Sequence, residues 1–149
     1  MPSVGDAIAA GARSESDVWA AALRGAPDWE PVFSPLVPEP LAAGFETVYE
    51  AYLVHYGRSR LFEPPDGDEA VLLGDYLYAH GLVRIADAGG VPAVAAMAEL
   101  IARCAALRAD GAGGADGDAW VDAARALGGE PDDETVREAL ARHFARVAP

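Results

Sequence analysis

The stretch from Asp68 to Ala88, DEAVLLGDYLYAHGLVRIADA, constrains the fold most, because it is the longest apolar run that keeps one helical register. At about 100° per residue, its charged residues fall in one stripe and its large apolar residues on the far side. The polar stripe contains Glu69, His80, Arg84 and Asp87, and the apolar face contains Val71, Leu72, Tyr78, Ala79, Leu82 and Ala86. A third strip would let a neighbouring helix approach closely and contains Ala70, Gly74, Gly81 and Ala88. The pattern predicts a central helix that is covered over most of its circumference.

Asp75 breaks this pattern, because it projects into the apolar face of the predicted helix. A buried carboxylate needs a partner to offset its desolvation, so we expect Asp75 to be largely buried and bonded. Removing it, as in Asp75→Ala, is then expected to cost more stability than Asp87→Ala. Its candidate partners are Arg58, Arg60, Arg103, Tyr49 and Tyr52. The residues predicted to form a ligand contact or a buried polar contact are Asp75, Tyr52, Tyr78 and Arg60, and no residue is assigned a catalytic role.

Composition excludes several classes of function. The net charge of −13 opposes binding to nucleic-acid phosphates and to anionic membranes. All 11 basic residues are Arg, which excludes P-loop and Schiff-base lysines. Asn and Gln are absent as well, so side-chain amides cannot form an oxyanion hole. The 149 residues, 52% of them hydrophobic, are enough for one domain with a real core.

The expected location is the cytoplasm. Cys104 is the single cysteine, and the N-terminal MPSVGDAIAAGARSE lacks the pattern of a signal peptide. Membrane insertion is not expected, because Asp75, His80 and Arg84 interrupt the best candidate for the roughly 18 apolar residues that a membrane span requires.

The rest of the chain predicts further helices around a proline-rich strap. Prolines 27, 31, 35, 38 and 40 exclude a helix between Ala26 and Pro40, so this segment is predicted to run extended over the core. A frayed turn over Val4 to Ala12 and a short helix capped by Ser14 are predicted before it, and an amphipathic helix from Leu41 to Tyr56 after it, with Glu46 and Glu50 off the apolar face.

Glycines mark the later boundaries. Gly89 and Gly90 are predicted to end the central helix, whose N-cap is expected at Asp68, and Pro92 to start the next helix. A short helix follows Asp118, and a last helix buries the face that contains Val136, Leu140, His143, Phe144 and Val147. The sequence therefore predicts a compact all-α bundle of about five to six helices. Residues 1–40 are expected to pack on the bundle of residues 41–149 within a single domain.

No common cofactor or metal motif is present. His55, His80 and His143 lack the spacing of a zinc site, and no GxGxxG, GKS or GxSxG pattern occurs. The acidic run from Asp110 to Asp118 lacks the alternating ligands and the closing Glu of an EF-hand, so a solvated linker is expected there. We predict neither a cofactor nor a metal.

The segment EAVLLGDYLYAHG resembles the helix of trans-isoprenyl diphosphate synthases, the polyprenyl synthetase family, in which an apolar run ends in Gly-Asp. The resemblance covers about Phe45 to Leu107, and Asp75 matches the Asp of that pair. In the family, the preceding helix ends in an aspartate-rich motif that holds magnesium and the substrate diphosphate. This chain has LVHYGRSR instead, so that after His55 the first two aspartate positions are Tyr56 and Gly57.

The resemblance implies a truncated family member without the metal-binding carboxylates, because diphosphate ionisation needs divalent cations. Expected roles are an assembly partner, as a homo-oligomer or beside a catalytic prenyl synthase subunit, or a binder of an apolar small molecule. A divergent enzyme that uses Asp75 with Tyr76, Tyr78 or Arg60 is the alternative, and a helical structural protein without a ligand is the third. A filled core with an exposed apolar face would favour the partner role.

Overall fold

The computed structural model describes residues 2–147, and this part of the chain folds into six α-helices without a β-strand. The predicted all-α class is confirmed. The helices are α1 (Val4–Glu15), α2 (Asp17–Ala22), α3 (Glu39–Tyr56), α4 (Gly67–Ala109), α5 (Asp116–Ala126) and α6 (Asp133–Val147). Two 3-10 helices, Ser34–Leu36 and Gly113–Ala115, lie in the connections. An isolated antiparallel bridge joins Leu23 to Phe62.

The extent of α1 and the N-caps of α2 and α4 differ from the prediction. Val4–Glu15 is a full helix rather than a frayed turn, because Ser3 and Asp6 form a reciprocal capping box. Ser16, rather than Ser14, caps α2 by accepting from the Val18 amide at 3.0 Å. Asp66, rather than Asp68, caps α4. In each case the capping side chain lies outside the first turn, where it can reach the free amides.

The proline-rich segment supplies large side chains to the core. Residues 26–33 contain no helix, yet Val32 and Phe33 are fully buried. Phe33 stacks on Trp120 of α5 with 5.5 Å between ring centroids. The chain then enters α3 two residues earlier than predicted, with Pro40 in the first turn, where a missing amide hydrogen costs nothing.

Helix α4 is broken where the glycines predicted a stop. Gly90 has φ 70° and ψ −164°, a conformation that favours glycine, and Pro92 follows in the next turn. The break divides α4 into an N-terminal segment, residues 67–89, and a C-terminal segment, residues 91–109.

The strip of small residues on the N-terminal segment of α4 faces α3. A Cβ added to Gly81 would lie 2.5 Å from Val48 Cγ2 and 3.0 Å from the Val48 backbone nitrogen. Leu73, Leu77 and Ile85 flank this strip and are buried. The small residues thus allow the close approach that the sequence predicted.

The prediction for the large apolar face of the same segment is wrong in part. Of the residues predicted on this face, Leu72 is 60% exposed and Val71 is 53% exposed, and Ala79 and Ala86 are exposed as well. Val83, on the same side as Leu72, is 59% exposed. Tyr78 and Leu82 are half-buried. Because α3 packs on the glycine strip, the opposite side of the helix turns toward solvent. The central helix of the bundle is therefore α3, in which every residue from 44 to 53 is buried.

Candidate functional site

Arg60, one of the predicted site residues, is fully buried in an ionic network with α3. Its Nε donates to Glu50 Oε1 at 2.8 Å, and its Nη1 donates to Glu46 Oε1 and to the Glu30 carbonyl oxygen. The Ser59 hydroxyl donates to Glu50. The guanidinium also lies 4.0 Å from the ring centroid of Trp29. We call Glu46, Glu50, Ser59 and Arg60 the Arg60 network.

The Arg60 network fixes two non-helical segments to α3. Glu46 accepts the Val32 and Ser34 amides of the strap, both at 2.8 Å. Burial lowers the pKa of Arg60, but the two carboxylates outweigh burial and hold its pKa above the ordinary value. Glu46 and Glu50, which lie off the predicted apolar face, are nevertheless fully buried. Apart from Arg60 Nη2, which is buried without a hydrogen-bond partner, the polar groups of this arrangement bond to each other or to nearby backbone groups, which favours a structural role.

A second buried network joins α3, α4, α5 and α6. The Tyr49 hydroxyl lies 2.7 Å from His143 Nδ1, and His143 Nε2 lies 2.8 Å from Asp116 Oδ1. Asp116 Oδ2 accepts from the Tyr52 hydroxyl and, at 2.8 Å, from Arg108 Nη2. We call Tyr49, Tyr52, Arg108, Asp116 and His143 the Asp116 network.

The protonation states of the Asp116 network follow from its contacts. Burial raises the pKa of Asp116, but hydrogen bonds from His143, Tyr52 and Arg108 outweigh burial, so the pKa lies below its ordinary value. Burial raises the pKa of both Tyr49 and Tyr52, which keeps their hydroxyls protonated. An ionised Asp116 accepts a hydrogen bond from His143 Nε2, and the other ring nitrogen of His143 is hydrogen-bonded to the Tyr49 hydroxyl.

This Tyr–His–Asp chain is enclosed by protein. The side chains of His143 and Asp116 are fully buried, and the network reaches solvent through Arg108, whose side chain is 26% exposed. Its geometry holds α6 and α5 against α3 and gives no substrate-sized access to the histidine. The predicted solvated linker is thus wrong at Asp116. The predicted position of His143 on the apolar face of α6 could have indicated a buried carboxylate, because a buried histidine requires a hydrogen-bond partner.

Asp75 is not buried, and the prediction that it bonds inside the bundle is wrong. Its side chain is 66% exposed, and its Oδ1 lies 3.4 Å from His55 Nε2. Asp75 follows Gly74, which faces α3, so that the turn of the helix carries its carboxylate outward. The expected partners bond elsewhere: Arg60 to Glu50, Tyr52 to Asp116 and Arg103 to Asp122.

Tyr78 and His55 lie beside Asp75 at the seam of α3 and α4. Their rings stack with 5.1 Å between centroids. Burial lowers the pKa of His55, although Asp75 acts in the opposite direction, and burial raises the pKa of Tyr78. The four predicted site residues therefore occupy three separate places: the Arg60 network, the Asp116 network and this seam.

The exposed side of the N-terminal segment of α4 carries apolar side chains. We define the α4 stripe by its residues Leu72, Asp75, Ala79, Val83 and Ala86, all of which are exposed. They fall within about 80° around the helix and extend over about 21 Å. Asp75 is the charged member of these five residues, and the exposed Asp68 lies on the same side of the helix, one turn before Leu72.

Helix α4 also meets the length and composition criteria of a membrane span. An 18-residue window has a mean hydropathy of 1.5, and 22% of the window is buried. A core helix of a soluble protein meets the same criteria. The result therefore shows that α4 has an exposed apolar surface, but it does not show that a membrane covers that surface.

Two surface depressions lie away from both buried networks. One of about 180 Å³ lies between α4 and α5, where Arg103 and Asp122 form an ion pair at its edge. Another of about 510 Å³ lies beside Val18 and Glu69. Within residues 2–147, no group of three or more His, Cys, Asp or Glu side chains is arranged to hold a metal ion.

No family model, curated protein or solved structure matches the chain.

Proposed function

We propose that the chain is a cytoplasmic, non-catalytic assembly subunit that binds a helical partner through the α4 stripe. The observation that carries this proposal is the exposure of Leu72 and Val83, at 60% and 59%, on a helix whose other side packs against α3. Contiguous exposed apolar surface is typical of protein interfaces.

The packing of the core supports a partner over an apolar ligand. Trp120, Phe33 and Phe45 are fully buried, and the Trp120 ring lies 5.5 Å from Phe33 and 5.3 Å from Phe45 between ring centroids. They fill the space between α3 and α5 in which an apolar ligand would otherwise lie. Their mutual contacts leave the outer side of α4 as the apolar surface that a partner can cover.

The resemblance to trans-isoprenyl diphosphate synthases supplies the kind of partner. The family includes heteromeric synthases in which a small subunit without the aspartate motifs assists a catalytic subunit. Tyr56 and Gly57 occupy the positions of the first metal-binding aspartates after His55, which is consistent with a supporting subunit. A catalytic prenyl synthase subunit and a second copy of this chain are the two partners that follow from this resemblance.

The direct test measures assembly with the expected partner. Sedimentation velocity of the chain, alone and mixed with a catalytic prenyl synthase from the same organism, is compared for the wild type and for Leu72→Glu/Val83→Glu. We expect a complex or an oligomer in the wild type and its loss in the double variant. Val18→Glu/Phe144→Glu is the matched control, because these residues are 48% and 44% exposed outside the stripe.

Titration with isopentenyl and allylic diphosphates, with and without magnesium, tests the non-catalytic part of the proposal. We expect no magnesium-dependent binding by the chain alone. Tight magnesium-dependent binding that is lost on mutation of Asp66, Asp68 or Asp75 would instead establish a rebuilt enzyme site. Assembly that is unaffected by the stripe variant would contradict the partner surface.

A further inference from the structure

We infer that the partner places a basic helix along the α4 stripe, with an Arg or Lys side chain against Asp75. This inference rests on the proposed function and adds the chemistry of the partner. It commits to a protein partner of opposite charge, rather than to a second copy of this chain or to a lipid surface.

The starting observation is that the charge of Asp75 is not compensated within the chain. In the part of the chain that the structure describes, His55 is the basic side chain within ion-pair distance of Asp75, with its Nε2 3.4 Å from Asp75 Oδ1. Burial lowers the pKa of His55, so that this imidazole is neutral at pH 7. Because Asp75 is 66% exposed, its negative charge is stabilised mainly by water.

A partner that covers the stripe must remove that water. Leu72 and Ala79 lie on the same side of the helix as Asp75, so that a surface packed on them also covers the carboxylate. Desolvating a carboxylate without a cation is strongly unfavourable, whereas a paired carboxylate across an interface fixes register and specificity. The apolar residues supply affinity, and Asp75 requires that the partner carry a positive charge.

A second copy of the chain does not meet this requirement through the same stripe. Arg84 is the one arginine in residues 67–89, and it lies nine residues from Asp75, on the opposite side of the helix. In an antiparallel pair centred on Ala79, each Asp75 would face Val83 of the other copy. Two chains of charge −13 also repel each other.

A lipid surface is disfavoured for the same reason. The net charge repels anionic headgroups, and a neutral bilayer gives Asp75 no counter-ion. The small side chains of Ala79 and Ala86 instead allow another helix to approach closely along the middle of the stripe.

The test uses three cross-linked helical peptides of about 18 residues, with one face of Leu and Ala and a single central position occupied by Arg, Met or Glu. Fluorescence anisotropy measures their binding to the full chain. We expect the Arg peptide to bind about tenfold more tightly than the Met peptide, and the Glu peptide to bind most weakly. In Asp75→Asn, the three peptides should bind with similar affinity, close to that of the Met peptide with the wild type.

Asp87→Asn is the matched control, because it makes the same change of charge on the same helix outside the stripe. It should leave the order of the three affinities unchanged. Equal affinities in the wild type, an absence of peptide binding, or an equal effect of the two substitutions would overturn the inference. Homodimerisation lost in Leu72→Glu/Val83→Glu, or binding to phosphatidylcholine vesicles lost in the same variant, would also overturn it.

The outcomes separate this inference from the proposed function. Peptides that bind irrespective of charge, but lose binding in Leu72→Glu/Val83→Glu, would overturn the basic partner and retain the stripe as an assembly surface. Charge-selective peptide binding without any complex with a prenyl synthase would overturn the proposed partner and retain the inferred chemistry.

Discussion

Helix α3 and the N-terminal segment of α4 are both apolar helices, yet α3 buries charged side chains and the segment of α4 exposes large apolar ones. Helix α3 buries Glu46 and Glu50 completely. The segment 67–89 of α4 exposes Leu72 and Val83 by more than half. Hydropathy alone would give the reverse arrangement, so the place of each helix in the bundle decides which side chains are buried.

The two helices differ in burial because α3 has more neighbouring helices than the N-terminal segment of α4. Helix α3 contacts α1, α4, α6 and the 3-10 helix of the strap, so that its circumference is covered over residues 44–53. Its carboxylates remain stable because Arg60 is delivered to them by the loop after α3. The N-terminal segment of α4 packs closely along its small residues, such as Gly81, and its opposite side has no neighbour in the described chain.

The largest expected effect comes from removing the cation that makes the burial in α3 possible. Arg60→Met leaves Glu46 and Glu50 buried without a counter-ion, and we expect a loss of about 3–5 kcal/mol in the free energy of unfolding. Urea denaturation followed by circular dichroism measures it. Arg103→Met is the control, because Arg103 and Asp122 form an exposed ion pair that is expected to contribute less than about 1 kcal/mol.

The triple variant Glu46→Gln/Glu50→Gln/Arg60→Met sharpens this result. Removing the buried carboxylate charges together with the guanidinium should recover part of the lost stability. If the single and triple variants are equally unstable, the cost arises from lost packing on Trp29 rather than from the unpaired charges.

The second-largest expected effect comes from comparing two adjacent leucines that lie on different faces of α4. Leu73 is fully buried, so Leu73→Ala should cost about 2–5 kcal/mol through lost burial and a residual cavity. Leu72→Ala should change the free energy of unfolding by less than about 0.5 kcal/mol, because the side chain already contacts water. Equal losses in thermal unfolding of the two variants would show that the orientation of α4 is wrong.

The next effect compares two aspartates in the first turn of α5. Asp116→Ala should cost about 2–3 kcal/mol, since it leaves His143 and Tyr52 without their buried acceptor. Asp118→Ala, which removes an exposed carboxylate, should be nearly neutral. Chemical denaturation of both variants measures the difference.

The difference in the free energy of unfolding between the wild type and Asp116→Ala should depend on pH in a defined direction. The pKa of Asp116 is lowered from 3.8 in the folded state, so its stabilisation is complete above pH 3.8 and is lost as the pH falls through the folded-state pKa. The gap between the wild type and Asp116→Ala should therefore be constant near neutral pH and narrow below pH 3.8. A gap that stays constant into acid would contradict an ionised Asp116.

The smallest expected effect concerns the seam where the two helices meet. Burial lowers the pKa of His55 below 6.5, and Asp75 partly opposes that shift, so Asp75→Asn should lower the pKa further. Because the folded state disfavours protonated His55, stability should fall as the pH drops below 6.5, more so in the variant. NMR titration of His55 measures the shift, and Asp87→Asn should leave it unchanged.

The sequence by itself determined the local structure. Helical periodicity predicted the all-α class, and the glycine pair at 89 and 90 predicted the break in α4. The burial of His143 also followed from local pattern. Phe144 was placed on the same buried face but is 44% exposed, because helical spacing defines a side of the helix and not the extent of its cover.

Only the tertiary structure decided which polar groups meet. Tyr49 and His143 are 94 residues apart in sequence, and Tyr52 and Asp116 are 64 apart, so no local spacing could pair them. The same reason explains the error at Asp75: a helical wheel gives the angle between side chains, but the position of α3 decides which angle points inward. A carboxylate is buried where a distant cation or donor reaches it, and exposed where none does.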